Sequence, residues 1–338
     1  MDRYTIIASA RMRRPTGFVV PPRVEKSDHC PFCPGHESST PPADLLLLQA
    51  QDGVVLSEDT AGHARSDWLV RCFPNMYPAT EPLGGLTPLS SQLQWRQAAY
   101  GYHEVVVESP NHDESPGQAR VEQLCCSLEA SRVLMRRHKG DERIQYAQLF
   151  RNHRREAGAS LSHAHSQIIS LSQTPQRITE ELEGFDHYAD AHGGKCVLCK
   201  VLEEERGSAR TVLENDNFLV IAPWASITPF ELLVVPKHHQ TDFTMMDEYE
   251  LRALARTMRY SLGALARLLG DPPYNYGFHT APKGLGSRIY HWHLEVLPKL
   301  TSWAGFELST GVYINVTPPE VAAASLRQLA DGEKDLTG

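Results

Sequence analysis

The stretch GASLSHAHSQIIS, residues 158–170, sets two imidazoles, His163 and His165, either side of one alanine and puts an amide, Gln167, two places further on. Successive side chains of an extended strand point to opposite faces, so these three would line one face together. A second stretch, HWHLEVLP at 291–298, repeats the His-x-His, with Trp292 at the place of Ala164 and Glu295 at the place of Gln167. Working outward, the same series precedes each pair. The first half runs CPFC (30–33), DWLVRCFPNMYP (67–78), HEVVVESPNH (103–112) and then HAHSQIIS (163–170). The second runs CVLC (196–199), DNFLVIAPWASI (216–227), ELLVVPKHH (231–239) and then HWHLEVLP. His112 precedes His163 by 51 residues and His239 precedes His291 by 52, an agreement that points to an internal duplication. The earlier gaps differ, 79 residues from Cys33 to His112 against 40 from Cys199 to His239. The breaker-rich EPLGGLTPLSSQ (81–92), as an inserted loop, accounts for part of this.

Strand-length runs rich in β-branched and aromatic residues follow: WLVRCF, EVVVES, AQLFRN, SQIISL, FLVIAP, FELLVVP, NYGFHT, HLEVLP and GVYINV, bounded by Pro, Gly, Asn or Asp. Each half also holds one segment with apolar residues at three- and four-residue steps and a closing glycine, 118–140 and 247–270, which predicts a long helix. The expected fold class is α+β, two tandem halves, each an antiparallel sheet with a long helix. We place the halves at 1–185, holding the active site, and 186–338, holding a second metal site. The connection is expected near 172–195, where SQTPQ and HGGK concentrate breakers.

The chain has 338 residues, 41% apolar and 22% charged, with a net charge of -8, a profile that argues against nucleic acid or an anionic membrane as partner. MDRYTIIASARMRRP has no signal-peptide pattern and no window approaches the ~18 apolar residues of a span, so a cytoplasmic protein is expected. LLLLQA (45–50) is too short for lipid and reads as core. Of seven cysteines, four form the two C-x-x-C pairs, which in a reducing compartment suggest metal or redox chemistry; Cys72, Cys125 and Cys126 read as buried thiols.

Zinc takes four ligands and favours thiolate with imidazole, so one C-x-x-C and two later histidines make a complete set. Cys30, Cys33, His112 and His163 form one candidate and Cys196, Cys199, His239 and His291 the other, for one or two zinc ions per chain. His238 competes with His239, because Pro236 and His238 share the offset of Pro110 and His112, and His279 and His293 are further possible ligands. With His163 on a metal, His165 is the histidine left with a free ring nitrogen, beside an amide able to donate to an anionic oxygen. That pair suits attack on phosphorus through a covalent imidazole intermediate. Glu295 would repel a phosphate, so one active centre is expected, in the first half.

These residues also carry a resemblance. RMRRP (11–15), CPFCPG (30–35), FPNMYP (73–78), ESPNHD (108–113), FRN (150–152), GASLSHAHSQ (158–167), PKHH (236–239), HWHLEVLP and GFELSTGVYIN (305–315) together resemble the galactose-1-phosphate uridylyltransferase family of the histidine-triad superfamily, which includes ADP-glucose phosphorylase. The resemblance implies two histidine-triad-like halves and a ping-pong nucleotidyl transfer. A nucleoside diphosphate sugar leaves its monophosphate on His165, and a sugar 1-phosphate, or phosphate in an ADP-sugar phosphorylase, removes it. It further implies that Arg11, Arg14 and Asn75 contact the nucleotide, that Asn152, Ser160 and Gln167 hold the phosphates, and that the His163 carbonyl orients His165. Phe306 and Glu307 would contact the hexose, reaching the partner subunit's site in a homodimer. HAHSQ stands where the uridylyltransferases read HPHGQ, and Tyr313 lies near an expected glutamine; both forms are closer to the phosphorylase branch, as is the second C-x-x-C. A histidine-triad hydrolase, in which water resolves the intermediate, fits the same residues; a pure binding module would not need His165 and Gln167.

Overall fold

A computed structural model describes residues 5–9, 29–60, 62–82, 89–90, 93, 95–284 and 289–334. The strands of the first half are β1 (Thr5–Ile7), β2 (Leu45–Ala50), β3 (Gly53–Ser57), β4 (Trp68–Pro74), β5 (Leu89–Ser90), β6 (Trp95–Arg96), β7 (Gly101–Val107), β8 (Tyr146–His153) and β9 (His165–Leu171). The helix α1 (Val121–Gly140) joins β7 to β8. After helices α2 (Gln176–Ala191) and α3 (Val197–Glu205) come β10 (Thr211–Glu214), β11 (Phe218–Ile221) and β12 (Leu232–Pro236). Next are α4 (Glu248–Leu269), β13 (Tyr274–His279), β14 (His293–Pro298), α5 (Gly305–Thr310), β15 (Tyr313–Asn315) and α6 (Pro319–Lys334).

Eleven of these strands form one antiparallel sheet in the order β3-β2-β4-β7-β9-β8-β13-β14-β12-β11-β10. The order explains the sequence repeat. Reading outward from the β8–β13 junction, β8, β9, β7, β4 and β2 are matched by β13, β14, β12, β11 and β10. At the junction itself the halves pair directly, Asn152 opposite Asn275 and Arg151 opposite Tyr276. The fold is therefore α+β, as expected, with both halves in a single continuous sheet.

One face of that sheet is covered by α1 and α4. Leu128, Leu134, Leu254 and Leu265 from the helices meet Val106, Ile168, Leu294 and Val296 from the strands in one shared core. Burial of each such side chain is worth about 1.5–3 kcal/mol. LLLLQA is continuously apolar because β2 is buried on both sides: Leu45 and Leu47 enter that core, while Leu46 and Leu48 pack with Trp68, Phe73, Val105 and Val107 on the other face. The alternation that sends Ile168 to the helices sends His165 and Gln167 to this second face, where the C-x-x-C segments lie.

The long helices appear where the periodicity put them. α4 begins on a capping box, Asp247 accepting from the Glu250 N–H (2.8 Å) and Glu250 from the Asp247 N–H (3.0 Å). It ends at Gly270, whose φ of 72° suits glycine. Two features add to the expected pattern. The connecting stretch 172–195 contains the helix α2, because Ile178, Leu182, Phe185 and Ala189 recur at helical spacing and are buried, outweighing the flanking breakers. The strand in GVYINV does form, but it pairs in parallel with β1, apart from the main sheet. No helix among the described residues is long and apolar enough to cross a membrane.

Candidate active site and metal centres

The four donors of each predicted set converge. Cys30, Cys33, His112 and His163 bring their ligand atoms within 4.8 Å of one another, and so do Cys196, Cys199, His239 and His291. In a tetrahedral zinc site with Zn–S about 2.3 Å and Zn–N about 2.0 Å, the S···N edge is about 3.5 Å. The first cluster has Cys30–His163 at 3.7 Å, Cys33–His112 at 3.4 Å and Cys33–His163 at 3.6 Å, all Sγ to Nδ1. The second has Cys196–His291 at 3.7 Å, Cys199–His239 at 3.4 Å and Cys199–His291 at 3.5 Å. The outer nitrogens are held too. His163 Nε2–H donates to the Ser109 carbonyl (2.8 Å), His291 Nε2–H to the Pro236 carbonyl (2.9 Å), and His112 Nε2 meets Ser162 Oγ (2.9 Å). For His163 and His291 the Nδ1 lone pair is thereby left for a metal. Burial, then the neighbouring His239, pulls His291 down to about 3, which keeps it neutral. Ser109 and Pro236 stand three residues before His112 and His239 respectively, so the residue matching His112 is His239, and His238 is outside the cluster.

His165 sits at the start of β9 and is buried. Its Nδ1–H donates to the His163 carbonyl (2.8 Å), so the lone pair is on Nε2. Burial lowers its pKa below the usual histidine value, partly countered by that hydrogen bond. Phe32, between the two cysteines of CPFC, packs edge-on against the His165 ring with centroids 5.3 Å apart. The first metal knuckle thus braces the nucleophile candidate as well as His163. On the helix side of β9, Ser166 Oγ–H donates to Glu108 (2.7 Å), Tyr276 of the second half donates to the same oxygen (3.3 Å), and buried Arg151 forms an ion pair with Glu108. The loop entering the site is pinned by Asn275, whose Nδ2–H groups reach Asn152 Oδ1 and the Ala157 carbonyl, both at 2.8 Å.

The second half copies the frame and changes the contents. His293 Nδ1–H donates to the His291 carbonyl (3.1 Å), as His165 does to His163. Gly277 pairs with Glu295 as Phe150 pairs with Gln167, so His279 stands at the position of Asn152. Glu181, His279, His293 and Glu295 bring donor atoms within 4.8 Å of one another. Arg177 Nη2 donates to both oxygens of Glu295 (2.7 Å each), and His279 Nδ1 lies 3.0 Å from both oxygens of Glu181. Burial opposes ionising Glu181, yet its bond to His279 and the surrounding cations hold it at about 2. Burial likewise opposes a charge on His279, yet Glu295 and Glu181 raise it on balance. Two carboxylates balanced by Arg177 and His279 occupy the space where the first half is lined by neutral amides. His279 and His293, named above as further possible ligands of the cysteine site, group instead with Glu181 and Glu295.

The model of the galactose-1-phosphate uridyl transferase C-terminal domain matches residues 181–337. ADP-glucose phosphorylase of Arabidopsis thaliana is 32% identical over 97% of this chain and 91% of its own length. The chain belongs to the galactose-1-phosphate uridylyltransferase family. A galactose-1-phosphate uridylyltransferase of Thermotoga maritima is 26% identical over 97% of this chain and 95% of its own. The crystal structure of the Arabidopsis thaliana ADP-glucose phosphorylase with bound ADP-glucose superposes with a TM-score of 0.79 at 30% identity, covering 96% of each chain.

Within this family member, Asn75 and Gln167 meet on the His165 face, Asn75 Nδ2–H reaching Gln167 Oε1 (3.4 Å). Ser160 is exposed in the entry loop, and Asn152 Nδ2–H reaches the Gly158 carbonyl of that loop (3.4 Å). Phe306 and Glu307 lie on α5: Phe306 is half exposed, and Glu307 accepts from the Ala304 N–H (3.0 Å) at its own helix start. Arg11 and Arg14 are outside the described residues. Sequence reasoning missed His103, which bonds Gln167, and the pairs Glu108–Arg151 and Arg177–Glu295. The HxV alternation at the start of HEVVVES was the available signal for His103, since it places His103 and Val105 on one face.

Proposed function

We propose that the protein transfers a nucleoside monophosphate from a nucleoside diphosphate sugar to a sugar 1-phosphate through a covalent His165 intermediate, with galactose-1-phosphate uridylyltransferase as the reference activity. The observation that carries this is the His165 ring itself, buried, its Nδ1–H held by the His163 carbonyl so that Nε2 keeps the lone pair, on the strand face it shares with Gln167. Nε2 attacks the nucleotide phosphorus and the P–O bond to the sugar phosphate breaks. The acceptor's phosphate oxygen then attacks the same phosphorus, and the P–N bond breaks to regenerate the neutral imidazole. The positive charge on the nucleotidylated ring is stabilised by the Nδ1–H bond to the His163 carbonyl, while Gln167, Asn152 and Ser160 donate to the phosphate oxygens. Arg11, Arg14 and Asn75 are assigned to the nucleotide. Zinc at Cys30, Cys33, His112 and His163 would hold the strand that carries the nucleophile, and a second zinc at Cys196, Cys199, His239 and His291 would tie the start of α3 to the segments that follow β12 and precede β14. The exposed Phe306 and Leu308 of α5 support a homodimer in which Phe306 and Glu307 reach the partner subunit's site.

A second reading, ADP-sugar phosphorolysis with inorganic phosphate as acceptor, is favoured by the greater identity to the plant phosphorylase, 32% against 26%. One experiment tests both. Incubation with UDP-glucose or ADP-glucose, without acceptor, should add one monophosphate to the intact protein on His165, its mass naming the base. His165→Ala should abolish the adduct in a folded protein, and His293→Ala should leave it able to form. Steady release of free monophosphate without an adduct would replace transfer by hydrolysis. Loss of the adduct in a folded, metal-loaded His293→Ala would reverse the assignment of the halves.

A further inference from the structure

We infer that His103 is the positioning residue that decides which end of the Gln167 amide faces the reacting phosphate. This rests on the nucleotidyl-transfer reading of His165. The argument is one of donors and acceptors. The Ala79 backbone N–H points at His103 Nδ1 (3.0 Å), and a backbone N–H can only donate, so Nδ1 must accept. The one proton of the neutral ring therefore sits on Nε2. Nε2 lies 2.8 Å from Gln167 Oε1 and must donate to it. Asn75 is oriented independently, because its Oδ1 accepts from the Tyr77 N–H (2.9 Å), which turns Nδ2 toward the same Gln167 oxygen (3.4 Å). The 3.2 Å approach of Asn75 Nδ2 to His103 Nε2 is then two N–H groups converging side by side on one acceptor. Were Nε2 to accept there as well, the ring would carry no proton at all.

With its oxygen committed to two donors, Gln167 has its NH2 end left for an anionic oxygen beside His165. A reversed amide would present a carbonyl to the phosphate and two donors to His103. Burial supports the arrangement by lowering the His103 pKa, keeping the ring neutral, and only partly offset by the Gln167 bond. The second half lacks the device. Leu233 pairs with Glu295 as Val105 pairs with Gln167, so the residue at the His103 position is Glu231, whose carboxylate turns back to the Ile227 N–H (2.5 Å) and the Thr228 N–H (3.4 Å).

The test is the single-turnover rate of adduct formation with UDP-glucose and with ADP-glucose in the zinc-loaded full chain. Gln167→Ala should slow it about 100-fold, as loss of a donor to a reacting oxyanion does. His103→Ala should slow it about tenfold, the value of one hydrogen bond. Because His103 acts through Gln167, the double variant should be no slower than Gln167→Ala, whereas a merely structural loss would multiply through both backgrounds. His103→Gln, which can place an N–H where the imidazole Nε2 stands, should recover most of the rate. A His103→Ala protein loading at the wild-type rate, a full tenfold loss persisting on top of Gln167→Ala, or a folded His103→Gln as slow as alanine would each overturn the inference while the wild type still loads. A wild type that loads with neither donor would overturn the nucleotidyl-transfer reading, and this inference with it.

Discussion

Removing Arg151 should damage this protein more than most single substitutions, and the reason lies under the active strand. Arg151 is on β8 and Glu108 follows β7; their side chains are 3% and 7% exposed. Burial works against the Arg151 charge, yet the Glu108 carboxylate and the tyrosines beside it raise its pKa on balance. Glu108 also holds Ser166 of β9 and Tyr276 of β13, so one carboxylate ties three central strands together. Arg151→Met keeps most of the side-chain volume but leaves the Glu108 charge without its cation. Breaking a buried pair from one side costs about 3–5 kcal/mol. At about 2.1 cal/mol/K per residue, unfolding a chain of this size has an entropy near 0.7 kcal/mol/K, so the expected fall in Tm is about 4–7 °C. Thermal denaturation in the presence of zinc measures it. Arg151→Met with Glu108→Gln removes both charges and keeps an acceptor for Ser166, so the double variant should recover at least half the loss. A change of less than 1 °C in Arg151→Met, or simple additivity in the double variant, would refute the account of Glu108 as a charged tie.

Two further outcomes are expected. Elemental analysis should find two zinc ions per chain, one in Cys30→Ser and one in Cys196→Ser, and a chelator should lower Tm, since a structural site contributes its binding energy to folding; a folded, metal-free protein would exclude the zinc assignment. Glu104 on β7 should make stability fall as pH rises. Burial, then Asp44, pushes its carboxyl up to about 8 against Arg137, while an unfolded glutamate titrates near 4.5, so the folded state holds the extra proton between those values. The neighbouring His138, 3.8 Å away, is pulled down to about 4 by burial, so near pH 7 both groups are neutral and the contact is not an ion pair. Glu104→Gln should match the wild type near pH 4.5 and exceed it by about 2–4 kcal/mol at pH 8. Parallel Tm–pH curves for the two proteins would show that Glu104 is not buried as a neutral acid.

The convergence of the two Cys/His clusters, and the place of His165 beside one of them, were legible in the sequence because each depends on spacing along the chain. C-x-x-C is a local knuckle, and His-x-His puts Nδ1 of the first ring in the Cys/His cluster and its carbonyl beneath the second ring. The residues that hold those groups in place were not legible, because their partners arrive from other strands. Glu108 needs Tyr276 of the other half, Gln167 needs His103 on β7, and Glu295 needs Arg177 on a helix hidden behind SQTPQ. LLLLQA gave burial but not a strand, since a run buried on both faces loses the alternation that marks one. Pairing the second-half histidine by its offset from a proline kept His238 in contention; the carbonyl that receives the other histidine's Nε2–H, Ser109 or Pro236, is the better reference point, and it selects His239.

The same contrast supports the proposal of one active centre, in the first half. Position by position, the first half has His103, Asn152 and Gln167 around His165, all neutral and able to donate. The second has Glu231, His279 and Glu295 around His293, with Arg177 and Glu181 brought in by α2. Glu295→Gln alone would not restore a phosphate site, because it would leave Arg177 and His279 facing a single carboxylate and no residue at 231 able to orient the new amide. The second half has exchanged a donor-lined pocket for an internally neutralised one. Its retained His293–His291 carbonyl bond then serves the metal cluster and the sheet, which is why substitution of His293 is expected to leave adduct formation on His165 in place.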